Sequence, residues 1–315
     1  MKISILESLG VSQEKLSSLM KPFEDNGHVF SVHDRTLDVD RLVENVGDSD
    51  VAIIANMPFG NEVVERCPNL KFIDVAFTGV DHVGLDASKA NGIAVSNASG
   101  YSNEAVAELG VSMALTLLRN VREVEARCRE GKTKDGLVGS EIKGKTVGIV
   151  GLGKIGSRSA ELFNAFGAKV LASSRTIHPD APFYVEQVGL EELLKRSDIV
   201  VLHCPLNIET KGLIDKNRLA LMKKSAILIN LARGPVVASS ALAEALKAVT
   251  IAGAGIDVFD KEPPLPVDDP LLAAPNALVT PHVAFATRES MEIRADIVFD
   301  NLSAWIEGKQ KNVVL

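Results

Sequence analysis

Four short segments of this chain carry residue types suited to holding a dinucleotide and to moving a proton beside a carboxylate. The first is Thr146-Val-Gly-Ile-Val-Gly151-Leu-Gly153-Lys154-Ile155-Gly156, a G-x-G-x-x-G spacing that follows an apolar run and opens a helical pattern. In that context Gly151 permits a tight turn, Gly153 lets the backbone approach a pyrophosphate, and Gly156 lets the helix lie close on a sheet. The helix N-terminus offers free N–H groups to phosphates, so Gly151, Gly153, Lys154, Ile155 and Gly156 are candidate cofactor-binding residues. The other three segments are Ile229-Asn-Leu-Ala-Arg233-Gly234, Gly255-Ile-Asp257-Val-Phe-Asp-Lys-Glu262-Pro263 and Thr280-Pro-His282-Val. Each follows an apolar, strand-like run, and ligands of open α/β sheets bind at the carboxyl ends of strands. A guanidinium holds a carboxylate through two parallel hydrogen bonds. An imidazole moves a proton near neutral pH, and a carboxylate beside it stabilises its cationic form. Arg233, Glu262 and His282 are therefore candidate catalytic residues, and together they are the parts that reduction of a 2-oxo acid requires.

The residues after the next apolar run bear on the kind of dinucleotide. An acid at that point accepts the ribose 2′-hydroxyl. Here Lys169-Val-Leu-Ala-Ser173 continues as Ser174-Arg175-Thr176, with no acid. Ser174 and Thr176 offer hydroxyls, and Arg175 can fork onto a phosphate. The expectation is NADP(H) in preference to NAD(H), with NAD(H) still possible.

The elements that must position these residues read as alternating strands and helices. Brief apolar runs rich in Ile and Val occur at Ile3–Leu6, Val51–Ala55, Phe72–Ala76 and Ile93–Ser96, with amphipathic stretches such as Gln13–Met20 and Asn61–Glu65 between them. That alternation implies parallel βαβ units. A second set runs through Thr146–Val150, Lys169–Ser173, Asp198–His203, Ala226–Asn230, Ile251–Val258 and Ala277–Thr280. These six strands suit a dinucleotide-binding fold. Phe166-Gly167 closes the helix after the glycine turn, with Gly167 as its cap. Between the two sets lies a long apolar helix, about Asn103–Asn120, whose broad apolar surface points to packing between domains or subunits. Arg122–Lys143 is polar and glycine-punctuated and reads as an arm or linker. Ser239 or Ser240 is placed to cap a helix. Glu262–Pro275 contains five of the 13 prolines and reads as an irregular loop. A last helix, about Arg288–Glu307, returns to the first domain. The expected architecture is α/β with two doubly wound parallel-sheet domains: a Rossmann cofactor domain, 97–285, inserted in a flavodoxin-like substrate domain, 1–96 completed by 286–315.

Composition narrows the function classes. The chain has 315 residues, a net charge of −7, 46% apolar and 24% charged residues. That is ordinary for a globular protein, and an acidic chain lacks the basic footprint of a nucleic-acid binder. Three cysteines, Cys67, Cys128 and Cys204, show no CxxC spacing, which argues against a disulfide framework or a zinc site. Reduced thiols, no signal peptide and no run of membrane-spanning length imply a cytoplasmic protein without a membrane partner. His28, His33, His178 and His203 have no second ligand at metal spacing, and Trp305 reads as core.

The stretches GKTVGIVGLGKIG, HCPLNIETKGLI, MKKSAILINLARG, GIDVFDKEPP and TPHVAFAT resemble the D-isomer-specific 2-hydroxyacid dehydrogenase family, over essentially the whole chain. The resemblance implies Arg233 as substrate anchor, His282 as acid/base and Glu262 as its partner. It implies that Val75-Ala-Phe77-Thr78-Gly79-Val80-Asp81 is a substrate loop whose backbone N–H groups meet the carboxylate. It places Asp257 near the nicotinamide, Pro205 and Thr210 along the cofactor cleft, and Tyr101 against substrate. His82, after the loop, reads as structural. Ser174 stands in place of the family's usual Asp, Ala238 where an Asp often precedes a helix, and Phe77 where a small residue is common. The expected activity is reduction of a small 2-oxo acid with NADPH, in a homodimer. Two other readings stand beside it. An NAD-linked D-3-phosphoglycerate dehydrogenase is disfavoured by Asn56-Met57-Pro58, which lacks a basic residue for the phosphate, and by a chain ending at Leu315 without a regulatory domain. A dinucleotide-sensing interaction protein, with no turnover, is the other.

Overall fold

The computed structural model describes residues 1–261 and 265–315. They form two compact units: Met1–Ser102 with Ala286–Leu315, and Asn103–Phe285. Both are parallel-sheet α/β domains.

The first unit holds strands β1 (Lys2–Ile5), β2 (Val29–Val32), β3 (Val51–Ile54), β4 (Phe72–Val75) and β5 (Ala94–Asn97). Their order is β2-β1-β3-β4-β5, and every pair is parallel. This is the 2-1-3-4-5 order of flavodoxin-like folds. Central strands of such a sheet are covered on both faces and read as unbroken apolar runs; β3, Val-Ala-Ile-Ile, is buried throughout. β2 is an edge strand with exposed Val29 and Val32, and its Val-Phe-Ser-Val run gave no pattern the sequence reading picked out. Helices α1 (Gln13–Asp25), α2 (Val39–Val46), α3 (Asn61–Glu65) and α4 (Leu85–Ala90) connect the strands. Ser12 and Asp38 cap α1 and α2, each side chain accepting a backbone N–H three residues on. α1 runs five residues beyond the Met20 expected from its pattern, through Pro22.

The second unit begins with α5 (Asn103–Leu118) and α6 (Val121–Arg129). α5 lies over α7 (Lys154–Ala165) within its own unit, which takes up part of its apolar breadth. α6 makes the first part of the Arg122–Lys143 arm or linker helical, while 130–143 holds no helix or strand. It is a short, charged helix with no buried residue, and so it lacks the apolar periodicity that marks a helix in sequence. The sheet follows: β6 (Thr146–Val150), β7 (Lys169–Ser173), β8 (Val185–Gln187), β9 (Ile199–Leu202), β10 (Ile227–Asn230), β11 (Gly253–Ile256) and β12 (Ala277–Val279). The order is β12-β11-β10-β9-β6-β7-β8, all parallel. Read from β6 this is the Rossmann order 3-2-1-4-5-6 with one strand added. β8, three residues at the edge, is the strand beyond the six expected.

Helices α8 (Leu190–Arg196), α9 (Lys216–Leu219) and α10 (Ser239–Lys247) complete this unit. Apolar clusters cover both sheet faces, one built around Leu193, Leu228 and Leu242, the other around Val147, Phe163 and Ile229. Neither Ser239 nor Ser240 caps α10: its N-cap is Ala238, with no side-chain bond, and the Ser239 hydroxyl donates to Asp260 at 2.9 Å instead. In the first unit α11 (Arg288–Ile306) closes the chain. It opens on a capping box between Thr287 and Ser290, and Trp305 near its end stacks on Phe72 at 4.8 Å between ring centroids.

Candidate active site

The glycine turn sits at the topological switch of the second unit's sheet, where β7 lies on one side of β6 and β9 on the other. Gly151 has φ 98°, and a Cβ there would meet the Cys204 backbone nitrogen at 2.7 Å; at Gly156 it would meet the Gly151 carbonyl oxygen at 2.0 Å. At Gly153, the N-cap of α7, a Cβ would meet nothing within 4 Å. Two glycines thus permit close packing, and the third leaves open space where a phosphate would approach the helix N-terminus. Beside it is a cavity of about 480 Å³ lined by Gly151, Gly153, Ser174, Arg175, Thr176, Pro205 and Thr210 among others. The residues present therefore fit a dinucleotide. Lys154, Ile155 and Gly156 are not on the cavity wall; they form the first turn of α7.

The acid-free end of β7 is arranged in a definite way. The Ser174 hydroxyl accepts the Leu152 N–H at 2.7 Å, tying the end of β7 to the glycine turn. Arg175 is 81% exposed, and its guanidinium lies 3.8 Å from Glu209, itself 65% exposed. Glu209, His178, Leu190 and Asn207 line the same cavity and were missed in sequence. His203, read as lacking a second ligand at metal spacing, also lines it. Its Nε2 is 2.8 Å from the Ser159 hydroxyl, and burial pushes the imidazole down to about 4, so it is neutral at physiological pH.

The catalytic candidates extend from adjacent strands. β10, β11 and β12 are neighbours, with Asn230 opposite Ile256 and Ile256 opposite Val279. Arg233, Asp257 and His282 follow them at the same end of the sheet. Arg233 is half-buried, and its Nη1 donates to the Ala232 carbonyl at 2.8 Å. Asn230 shapes this loop from both sides, donating to the Arg233 carbonyl at 3.0 Å and accepting the Ala232 N–H at 3.1 Å. Gly234 is required by close approach, since a Cβ there would meet the Phe259 carbonyl carbon at 2.0 Å. His282 is half-buried with φ 54°, a left-handed conformation uncommon outside glycine. Its ring meets Phe285 edge-on at 5.5 Å.

Asp257, expected near the nicotinamide and the catalytic pair, lies directly behind the His282 segment. It is fully buried, and its carboxylate accepts the Thr280 hydroxyl at 2.5 Å and the Val283 and Ala284 N–H groups at 2.9 Å each. Its backbone carbonyl takes the His282 N–H at 2.7 Å. Asp257 thus holds the His282 segment in its left-handed conformation. Glu262 lies outside the described residues.

In the first unit, Phe77, Thr78 and Gly79 follow β4. Phe77 and Tyr101 are buried with ring centroids 6.2 Å apart, while Thr78 and Gly79 are half-buried. Phe77 also meets the His82 ring edge-on at 6.5 Å.

The profile of the D-isomer specific 2-hydroxyacid dehydrogenase NAD-binding domain matches residues 111–284, more than half the chain. The chain belongs to this family. A hydroxypyruvate reductase of Blautia hydrogenotrophica is 35% identical over 298 residues, covering 90% of this chain and 91% of its own. A glycerate dehydrogenase of Methylorubrum extorquens is 38% identical over 314 residues, covering 96% and 97%. An acyclic imino acid reductase, solved with NADPH and D-Arg, superposes with a TM-score of 0.91 at 30% identity, covering both chains fully. As a D-isomer specific 2-hydroxyacid dehydrogenase, the protein transfers a hydride between a nicotinamide cofactor and a 2-oxo/2-hydroxy acid pair. Among the described residues no group of histidine, cysteine or acidic side chains could hold a metal ion, and no helix is long and apolar enough to cross a membrane.

Proposed function

We propose that this dehydrogenase works as an NADPH-preferring reductase of small 2-oxo acids. One observation carries the cofactor preference: the end of β7 presents the uncharged Ser174, bonded to the Leu152 N–H, with the Arg175 cation beside it on the cavity wall. An acid there would repel a 2′-phosphate; a guanidinium attracts it. Glu209 opposes this from the same cavity, so the preference is moderate rather than absolute. Gly151, Gly153, Thr176, Pro205 and Thr210 complete the cradle, and the first turn of α7 directs its N–H groups to the pyrophosphate.

The bound cofactor supplies the hydride to the carbonyl carbon. Arg233 holds the substrate carboxylate as a fork and polarises the carbonyl. Cationic His282 gives its proton to the carbonyl oxygen as charge develops there. Asp257, through the bonds that fix residues 282–284, keeps the imidazole aimed and spares the reaction the cost of orienting it. Glu262 is the carboxylate assigned to His282 as its partner. In the first unit, Phe77, Thr78, Gly79 and Tyr101 are the assigned substrate contacts; Phe77 and Tyr101 make that wall apolar, which suits a short 2-oxo acid. One homologue is named hydroxypyruvate reductase, and acids of that size are the first to test.

A homodimer in the cytoplasm fits this reading. Val111, Leu115, Val121 and Val124 line an apolar groove along α5 and α6, and the three cysteines are free thiols. The testing experiment is steady-state reduction of glyoxylate, hydroxypyruvate, pyruvate and longer 2-oxo acids with NADPH and NADH separately. Turnover with NADPH favoured supports the proposal; dinucleotide binding without turnover of any 2-oxo acid overturns it.

A further inference from the structure

Thr78, Gly79 and Val80 form a run of three backbone amides whose N–H groups donate to no group among the described residues. Successive free N–H groups make an anion-binding concavity, but only if the peptides face outward. What sets their direction is a polar network, fully buried at Asn301 and Asp74, behind the loop.

Asn97, the last residue of β5, has its polar groups engaged on every side. Its Nδ2 donates to the Thr78 carbonyl at 2.7 Å, and its Oδ1 accepts the Ser99 N–H at 3.3 Å. Its backbone N–H donates to the Asn312 carbonyl at 3.1 Å, and its own carbonyl accepts Asn301 Nδ2 at 3.0 Å. Asn301, fully buried on α11, also donates to Asp74 Oδ1 at 3.0 Å and accepts Asn312 Nδ2 at 2.8 Å. The chain of contacts therefore runs from α11 and the C-terminal tail, through Asn97, to one carbonyl of the substrate loop. Hydrogen bonds away from water are stronger than in it, so linked bonds of this kind fix one arrangement.

The geometry of a trans peptide turns that single bond into an orientation. The carbonyl of Thr78 and the N–H of Gly79 belong to one planar unit and point in opposite directions. Drawing the Thr78 oxygen toward Asn97 turns the Gly79 N–H away from the network. We propose that Asn97, braced by Asn301, is a positioning residue that presents the Gly79 amide as a donor to the substrate carboxylate. It rests on the reading of residues 77–79 as substrate contacts, and goes beyond it by naming what holds them. Asn97 touches neither substrate nor cofactor in this account; it acts through the loop.

Asn97→Ala and Asn97→Ser remove the donor that reaches Thr78. The expected result in either variant is a KM for the 2-oxo acid, and an inhibition constant for the unreactive carboxylate oxamate, raised about 10-fold, the weight of one hydrogen bond to a charged group. The fall in kcat is smaller, and the NADPH KM stays within about twofold. A purely structural asparagine would lower the thermal midpoint without this split. Should neither variant fold, hydrogen exchange on the wild-type enzyme with NADPH serves: oxamate slows exchange of the amides at 78–80. A folded variant with unchanged KM and oxamate inhibition overturns the inference; wild-type amides at 78–80 that oxamate leaves unprotected overturn the reading of the loop as a substrate contact, and the inference with it. Failure of wild-type turnover altogether would instead overturn the reductase reading.

Discussion

Arg175→Ala tests the cofactor reading where this chain departs from an acid-bearing dinucleotide site. A charge-assisted hydrogen bond is worth ~1.5–3 kcal/mol, and each ~1.4 kcal/mol is tenfold in affinity. Arg175 is 81% exposed, so the lower end applies. The Glu209 pairing at 3.8 Å must also be given up or shared when a phosphate arrives; exposed pairs of this kind are worth ~0.2–1 kcal/mol. The net is about 1 kcal/mol, or roughly fivefold in favour of NADPH. Arg175→Ala removes that preference and leaves NADH within about twofold. Glu209→Gln removes the competitor and raises the preference by a few-fold. Ser174→Asp keeps an acceptor for the Leu152 N–H while adding charge, and it reverses the order. The assay is kcat/KM for each cofactor at saturating 2-oxo acid, at low and high ionic strength. The NADPH advantage shrinks as salt rises, because the charges are exposed. Equal or better kcat/KM with NADH in the wild type refutes the reasoning, as does an Arg175→Ala effect equal for both cofactors.

Two further outcomes follow from single side chains. Arg233→Lys raises KM for the oxo acid and lowers kcat together, because lysine keeps the charge but loses the planar fork; a lysine variant with wild-type kinetics removes the clamp. Asp74, fully buried with Asn301 as its hydrogen-bond donor, has its carboxyl held well above the usual range by burial. The folded state then keeps a proton that the unfolded chain releases. Stability from this group is complete below the ordinary carboxylate value of ~3.9 and declines as pH rises toward the raised one. Asp74→Asn is free of that decline, so its thermal midpoint improves relative to wild type between pH 4 and 8; a constant difference across that range contradicts a neutral Asp74.

The residues that could be read in advance were those that sequence periodicity or fixed spacing exposes. β6, β7 and the glycine turn fall where their pattern placed them, because a buried parallel strand must be apolar throughout and a tight turn beside a phosphate needs glycine. β2, β8 and α6 were not legible: two are short edge strands and one is a charged surface helix, so none needs a strong apolar signature. Within the proposed site, Arg233 and His282 stood out because each follows a strand. Glu209 and Asn97 were not, since a loop acid and a strand-end asparagine gain meaning only from what the fold sets opposite them. Asp257 shows the opposite limit. The family resemblance placed it near the nicotinamide, but only the fold shows the three accepted hydrogen bonds by which it supports His282.

The central claim is that His282 delivers the proton in reduction of a 2-oxo acid. Its most direct test is His282→Ala, with kcat for the best 2-oxo acid measured beside NADPH affinity by fluorescence titration. Loss of a general acid costs roughly 10²–10⁴-fold. If His282 is the acid, kcat falls at least about 100-fold while the NADPH dissociation constant stays within about twofold; a variant that turns over near the wild-type rate contradicts that role.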